Sequence, residues 1–181
     1  MLRKITKKGE KIQQIWAKHG KERYEKIMLK VLFICHGNIC RSPMSEYILR
    51  DMVQKRGLAA RFQIASAATS REEIGNPVYP PARRKLREHG IDPVGKTARQ
   101  MTKADYQEYD YLLAAESYNI RNMLRITGGD PEHKICRLLD FSDRPRDIAD
   151  PWYTGDFDIT WDDIVEGCEA FLAYLEREGK I

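Results

Sequence analysis

The sequence predicts an α/β fold, a three-layer arrangement in which a four-stranded parallel sheet carries helices on both faces. Three observations predict it. Short apolar runs alternate with longer stretches of helical periodicity, the pattern of a parallel sheet crossed by helices. The 181 residues are 42% hydrophobic, which supports one sizeable core and excludes a disordered chain. The first apolar run ends in a loop holding Cys35, Gly37, Asn38 and Arg41, and the loop opens directly into a helix. In such sheets ligands bind beyond the carboxyl ends of the strands, near a switch in strand order.

Each element follows from its local pattern. Residues 1–27 are polar and basic, with a weak apolar stripe at Ile12, Ile15 and Trp16. They read as a basic extension, either a mobile arm or a translated leader, because Met28 stands one residue before the first strand. The folded domain is expected over 28–181. Leu29–Cys35 has the length and apolar character of a buried strand. Ser42–Arg56 places Met44, Tyr47, Ile48 and Met52 at helical spacing and stops at Gly57. Arg61–Ala67 is the second strand, and Pro80–His89 is a helix closed by Gly90. Thr102 caps a short helix through Tyr106, and Tyr111–Ala115 is the third strand. Ser117–Ile126 is a helix ended by Gly128 and Gly129, and Lys134–Leu139 is the fourth strand. A proline-broken loop crosses Asp140–Gly155. Asp156–Glu178 is a final amphipathic helix with Ile159, Ile164, Phe171, Leu172 and Leu175 on one side.

Composition excludes several classes of function. The formal charge of +4 is uneven: residues 1–27 hold nine basic and three acidic side chains, a local +6, which leaves −2 for the rest. A mildly acidic globular part gives no footprint for nucleic acid. No apolar stretch reaches the length of a membrane span, and the first residues lack the apolar region of a signal peptide. Four cysteines in a chain of this length are no disulfide framework, so a reducing cytoplasm is expected. No cysteine pair has zinc-site spacing, and neither a metal nor a cofactor is expected. A monomer is expected.

The loop after the first strand is suited to a thiolate attacking a phosphoryl group. A free thiol has a pKa near ~8.5 and is mostly a poor nucleophile at neutral pH. A helix N-terminus and a ring of backbone N–H groups favour the anion and bind a phosphate in the same place. Cys35 is the expected nucleophile. Arg41, six positions beyond it, is expected to grip two phosphate oxygens with its planar fork and to hold the charge of the transition state. Gly37 permits a tight turn that brings its N–H close to an oxyanion. Asn38 tolerates a left-handed backbone and braces the loop. Ser42 is expected to cap the helix and to donate to the sulfur. Pro43 sits in the first helical turn, where it is tolerated.

The run Cys35-His36-Gly37-Asn38-Ile39-Cys40-Arg41-Ser42-Pro43 resembles the signature of the low-molecular-weight protein tyrosine phosphatases. The likeness extends to Ile64-Ala65-Ser66-Ala67, to Ala98-Arg99-Gln100-Met101-Thr102, to Tyr109-Asp110-Tyr111-Leu112-Leu113 and to Asp150-Pro151-Trp152-Tyr153. It covers nearly everything from Leu29 onward. The resemblance implies a phosphotyrosine phosphatase I-like fold and hydrolysis of protein phosphotyrosine and aryl phosphates through a phosphocysteine. It makes Asp150 the acid that protonates the leaving phenol and then the base that activates water. Asp140, Asp143 and Asp147 share that loop, and residue type alone does not choose among the four. Trp152 and Tyr153 are expected to wall the substrate ring or to anchor the loop. His36, Gly37, Asn38, Ile39, Cys40 and Ser42 complete the expected substrate site, His36 as a solvent-facing member of a variable position.

Departures from the family pattern bear on detail. Ala67 stands where the family often has Gly, and Ala115-Glu116 replaces a common Met-Asp. Glu72 takes a position that is aromatic in some relatives, and Lys96 one where some place a histidine that braces the loop asparagine. The resemblance also implies that Cys35 and Cys40 form a reversible protective disulfide in some members, with a small buried side chain as the other reading of Cys40. Cys136 and Cys168 read as core. Two alternatives stay in view. An arsenate reductase of this fold uses an extra cysteine pair, and Ser117–Pro131 holds none. A protein arginine phosphatase carries Thr where Ile39 stands.

Overall fold

Val31, Leu32, Phe33 and Ile34 follow one another in strand β1 (Leu29–Cys35), so apolar side chains leave both faces of it. Each is at most 1% exposed. Burying one such side chain stabilises a fold by roughly 1.5–3 kcal/mol, so β1 must be covered on both sides. A computed structural model of the protein describes residues 28–181. The reading of residues 1–27 lies outside the described residues. Strands β2 (Phe62–Ala68), β3 (Tyr111–Ala114) and β4 (Ile135–Arg137) join β1 in one parallel sheet of order β2-β1-β3-β4.

Helices supply the two outer layers. Along the chain they are α1 (Arg41–Lys55), α2 (Pro80–Glu88), α3 (Lys103–Glu108), α4 (Ser117–Thr127), α5 (Pro151–Thr154) and α6 (Phe157–Arg177). Met44 and Ile48 of α1, Leu86 of α2 and Phe171 of α6 pack on the face that carries Val31 and Phe33. Tyr106 of α3 and Met123 of α4 pack on the face of Leu32 and Ile34. Cys35 lies level with Ala68 of β2, and Ile34 with Ala114 of β3. The chain leaves β1 for β2 on one side and returns to β3 on the other, so the strand order switches at β1. The loops after β1 and β3 therefore part at that point and open a crevice beside Cys35.

Several boundaries differ from the sequence expectation for local reasons. Helix α1 begins at Arg41, with Cys40 as its N-cap and no side-chain cap, so Ser42 does not cap it. Strand β4 stops at Arg137 rather than Leu139. Asp140 turns back to accept from the Arg137 N–H at 2.8 Å and winds Leu138–Phe141 into a 3₁₀ turn. The Asp140–Gly155 loop also contains α5, with Asp150 as N-cap accepting from the Trp152 N–H at 3.1 Å. Ile159 is 54% exposed and leaves the apolar stripe assigned to it. It lies five residues before Ile164, about 140° away round a helix. Cys168 is buried, but Cys136 on the thin edge strand is only half-buried.

Leu138 is turned onto the backbone of α6. A Cβ at Gly167 would meet Leu138 Cγ at 2.6 Å, Cδ2 at 3.1 Å and Cδ1 at 3.3 Å. Alanine in a helix interior is worth about 1 kcal/mol over glycine, but overpacking a closed core costs roughly 1–3 kcal/mol. Because three atoms of one buried side chain are in the way, the clash wins. Gly167→Ala is expected to lower stability by about 1 kcal/mol in urea unfolding; a more stable variant would show that Leu138 moves freely.

Candidate active site

Main-chain bonds from neighbouring segments fix the loop after β1 before any side chain acts. The carbonyls of Cys35, His36 and Ile39 accept from the N–H groups of Thr69, Ser70 and Tyr79 at 2.9, 3.0 and 2.9 Å. Asn38 adopts a left-handed backbone with φ of 58°, and this aims its N–H at Cys35 Sγ, 3.2 Å away. Ser42 Oγ lies 3.0 Å from the same sulfur. The N–H groups of Arg41 and Ser42, in the first turn of α1, have no acceptor within their own helix. Cys35 is only 3% exposed, so those donors face it with little competition from water.

A polar network holds Asn38 in this unusual conformation. Its Nδ2 donates to Ser42 Oγ at 2.9 Å and to Ser66 Oγ at 2.8 Å. Its Oδ1 accepts from Lys96 Nζ at 3.1 Å and from the Arg99 N–H at 3.2 Å. Ser66 in turn donates to Glu46 at 2.5 Å, and Glu46 lies 3.7 Å from Lys96. Lys96 therefore braces the loop asparagine from the position where the family resemblance places a histidine. Burial lowers the Lys96 pKa, against the opposing pull of Glu46. Glu46 is almost fully buried and was not expected at the site. Its one signal in the sequence is an acid inside the Met44–Ile48 apolar segment of α1.

Arg41 is 2% exposed, and three of its five N–H donors are bonded within the protein. It donates to Glu116 at 3.0 Å, to Asp150 at 2.6 Å and to the Ile148 carbonyl at 3.1 Å. Burial alone would lower its pKa; the negative charge of Cys35, Asp150 and Glu116 outweighs that and holds it above the ordinary arginine value. Glu116, at the head of α4, reaches Arg41 from the end of β3, so a carboxylate is present there despite the departure from Asp. Burial, joined by the charge of Cys35 and Asp150, pushes the Cys40 thiol far up, so it stays protonated. Burial also raises Cys136, to about 12. All four cysteines are free.

Tertiary contacts separate the four acids of the long loop. Asp140 and Asp147 are both taken by Arg137, at 2.7 and 3.0 Å, and Asp147 also accepts from Ser117. Asp143 lines a separate surface groove beside α6. Asp150 lines the cavity over Cys35. Arg146 pins the loop to α6 through Asp163 at 2.5 Å and Glu166 at 2.6 Å. Its hydrogen bonds hold the Glu166 pKa down to about 2.

The cavity encloses about 160 Å³. Cys35, Cys40 and Arg41 line it together with His36, Gly37 and Ile39; Glu72, Glu73, Trp152 and Tyr153 stand at its walls. Trp152 is half-exposed, with its ring 5.0 Å from that of Tyr79. Tyr153 is 85% exposed. His36 does not simply face solvent; its Nε2 pairs with Glu72 at 3.0 Å. Glu73 lies against Gly37, where a Cβ would meet its Cγ at 3.0 Å. Asn38 and Ser42 sit behind the cavity and reach it through the sulfur. Among the described residues no group of three or more His, Cys, Asp or Glu side chains is placed to hold a metal. Nor is any helix among them long and apolar enough to cross a membrane.

Fold and cradle together define a class, the phosphatases that carry a cysteine loop at the switch point of a parallel sheet. The family model described as low molecular weight phosphotyrosine protein phosphatase matches residues 30–181. The chain is 38% identical over 156 residues to the low molecular weight protein-tyrosine-phosphatase YfkJ of Bacillus subtilis, covering 85% of this chain and 100% of that one. It is 36% identical to the human low molecular weight phosphotyrosine protein phosphatase, covering 82% and 96%. The crystal structure of YfkJ superposes with a TM-score of 0.81 at 39% identity, over 83% of this chain and 96% of that one. That of a Drosophila arginine phosphatase gives 0.75 at 27% identity, over 82% and 98%. The chain belongs to the low molecular weight phosphotyrosine protein phosphatase family.

Proposed function

We propose that this protein hydrolyses phosphotyrosine in protein substrates without a metal, through a phosphocysteine on Cys35. The observation that carries the reading is the sulfur of Cys35 between the Asn38 N–H and Ser42 Oγ, in one cavity with Arg41 and Asp150. In the first step the thiolate attacks phosphorus as the bond to the phenolic oxygen breaks, and Asp150 gives that oxygen its proton. In the second, water attacks phosphorus, Asp150 takes the water's proton, and the sulfur leaves as thiolate with Ser42 to steady it. Arg41 and the loop N–H groups hold the equatorial oxygens throughout. Trp152, with Tyr79 behind it, forms a wall for the phenol ring, and Tyr153 extends the rim toward the peptide. A reducing cytoplasm suits a mechanism that needs a free thiol.

Ile39 favours phosphotyrosine over phosphoarginine. Its side chain packs with Ala98 and lines the cavity, and it offers no hydroxyl to a guanidinium substrate. One preparation assayed with a phosphotyrosine peptide, a phosphoarginine peptide and arsenate tests the assignment. Turnover of phosphotyrosine at least tenfold above the others is expected, unchanged by chelator. Preference for phosphoarginine, thiol-dependent arsenate reduction or inhibition by chelator would overturn it.

A further inference from the structure

Arg41 has no free edge with which to take a phosphate. Both hydrogens of its Nη2 are used, one by Glu116 at 3.0 Å and the other by Asp150 at 2.6 Å. A guanidinium has two forked edges, Nε with Nη2 and Nη1 with Nη2. Each needs an Nη2 hydrogen, so a bidentate grip on a phosphoryl group requires one carboxylate to let go. Glu116 is held in place: it is the N-cap residue of α4 and also accepts from Asn119 at 3.3 Å. Asp150 lines the cavity and is hinged. Its Oδ1 is tethered to the Trp152 N–H at 3.1 Å, while Oδ2 makes the bond to Arg41. Rotation about that tether releases Arg41 without unfolding the loop, which Arg146 keeps pinned.

We infer that Asp150 acts a second time in the reaction, as an internal competitor that occupies Arg41 in the empty site, yields to the incoming phosphoryl group, and displaces product phosphate on its return. The inference rests on the phosphatase reading of the same site and adds anion exchange to it. No bond is made or broken beyond hydrogen bonds: one carboxylate–guanidinium contact is traded for one phosphate–guanidinium contact.

The test is a calorimetric titration of inorganic phosphate into the full chain at fixed pH and ionic strength. Asp150→Ala removes the competitor and is expected to tighten phosphate binding by about tenfold, the scale of one charge-assisted hydrogen bond. Asp150→Asn keeps the side-chain size and the cap on Trp152, and is expected to move affinity in the same direction. Asp143→Asn removes a carboxylate of the same loop that lines a separate groove and does not touch Arg41, and is expected to leave affinity within about twofold. Unchanged or weaker phosphate binding in both Asp150 variants overturns the inference. So does equal tightening in Asp143→Asn, which would trace the effect to the general field. The titration needs no turnover, so it judges the exchange separately from substrate assays of the phosphatase reading.

Discussion

Cys35→Ser is expected to reduce p-nitrophenyl phosphate turnover below about a thousandth of the wild-type rate. A serine hydroxyl is far harder to ionise than a thiol, and the one imidazole of the loop, His36, is paired with Glu72. Asn38 donates its N–H to the sulfur and Ser42 Oγ lies 3.0 Å from it; neither takes a proton from a hydroxyl. The exchange of sulfur for oxygen is a small change of volume at a 3% exposed position. The surrounding bonds run through main-chain atoms and Asn38, so the fold should hold. Circular dichroism and a thermal midpoint within a few degrees of wild type check that part. A variant that keeps substantial turnover places the nucleophile elsewhere.

Asp150→Ala separates leaving groups. A tyrosine oxygen has a conjugate acid of pKa near ~10 and leaves badly as an anion, whereas nitrophenolate leaves far more readily. General acid catalysis is worth about 10²–10⁴-fold where it is needed. The variant is therefore expected to lose about that factor on phosphotyrosine or phenyl phosphate, and clearly less on p-nitrophenyl phosphate. It also loses the cap on α5, at a local cost of about 1 kcal/mol. That cost falls on every substrate alike, so the ratio between substrates is the quantity to measure. Equal loss on both would assign the proton to another group.

The nine-residue run from Cys35 to Pro43 was legible because its chemistry is local. Strand, turn and helix start follow one another without interruption, so residue type and spacing already place a thiol beside a helix N-terminus. The sheet was legible for a similar reason: each strand carries its own apolar run, and the helices between them force a parallel order. Where the reading slipped, distant or reciprocal contacts decided. Asp140 shortened β4 by closing on Arg137, and Ile159 fell outside the stripe because α6 buries Thr160, Asp163 and Ile164 instead. Glu46 carried almost no signal, since a single acid within a helix is ordinarily solvated. His36 is solvent-facing as read, but its pairing with Glu72 carried no signal because the partner lies 36 residues away.

The amino-acid sequence by itself determined the layered α/β fold, the cysteine loop and the kind of chemistry that loop supports, since these follow from periodicity and from groups adjacent along the chain. Only the tertiary structure decided which of four aspartates faces the thiol, what holds Asn38 in its left-handed turn, and that Arg41 is shared between two carboxylates. Those answers join residues 58 to 109 positions apart. Strand order and loop anchoring bring them together, and no local pattern encodes either.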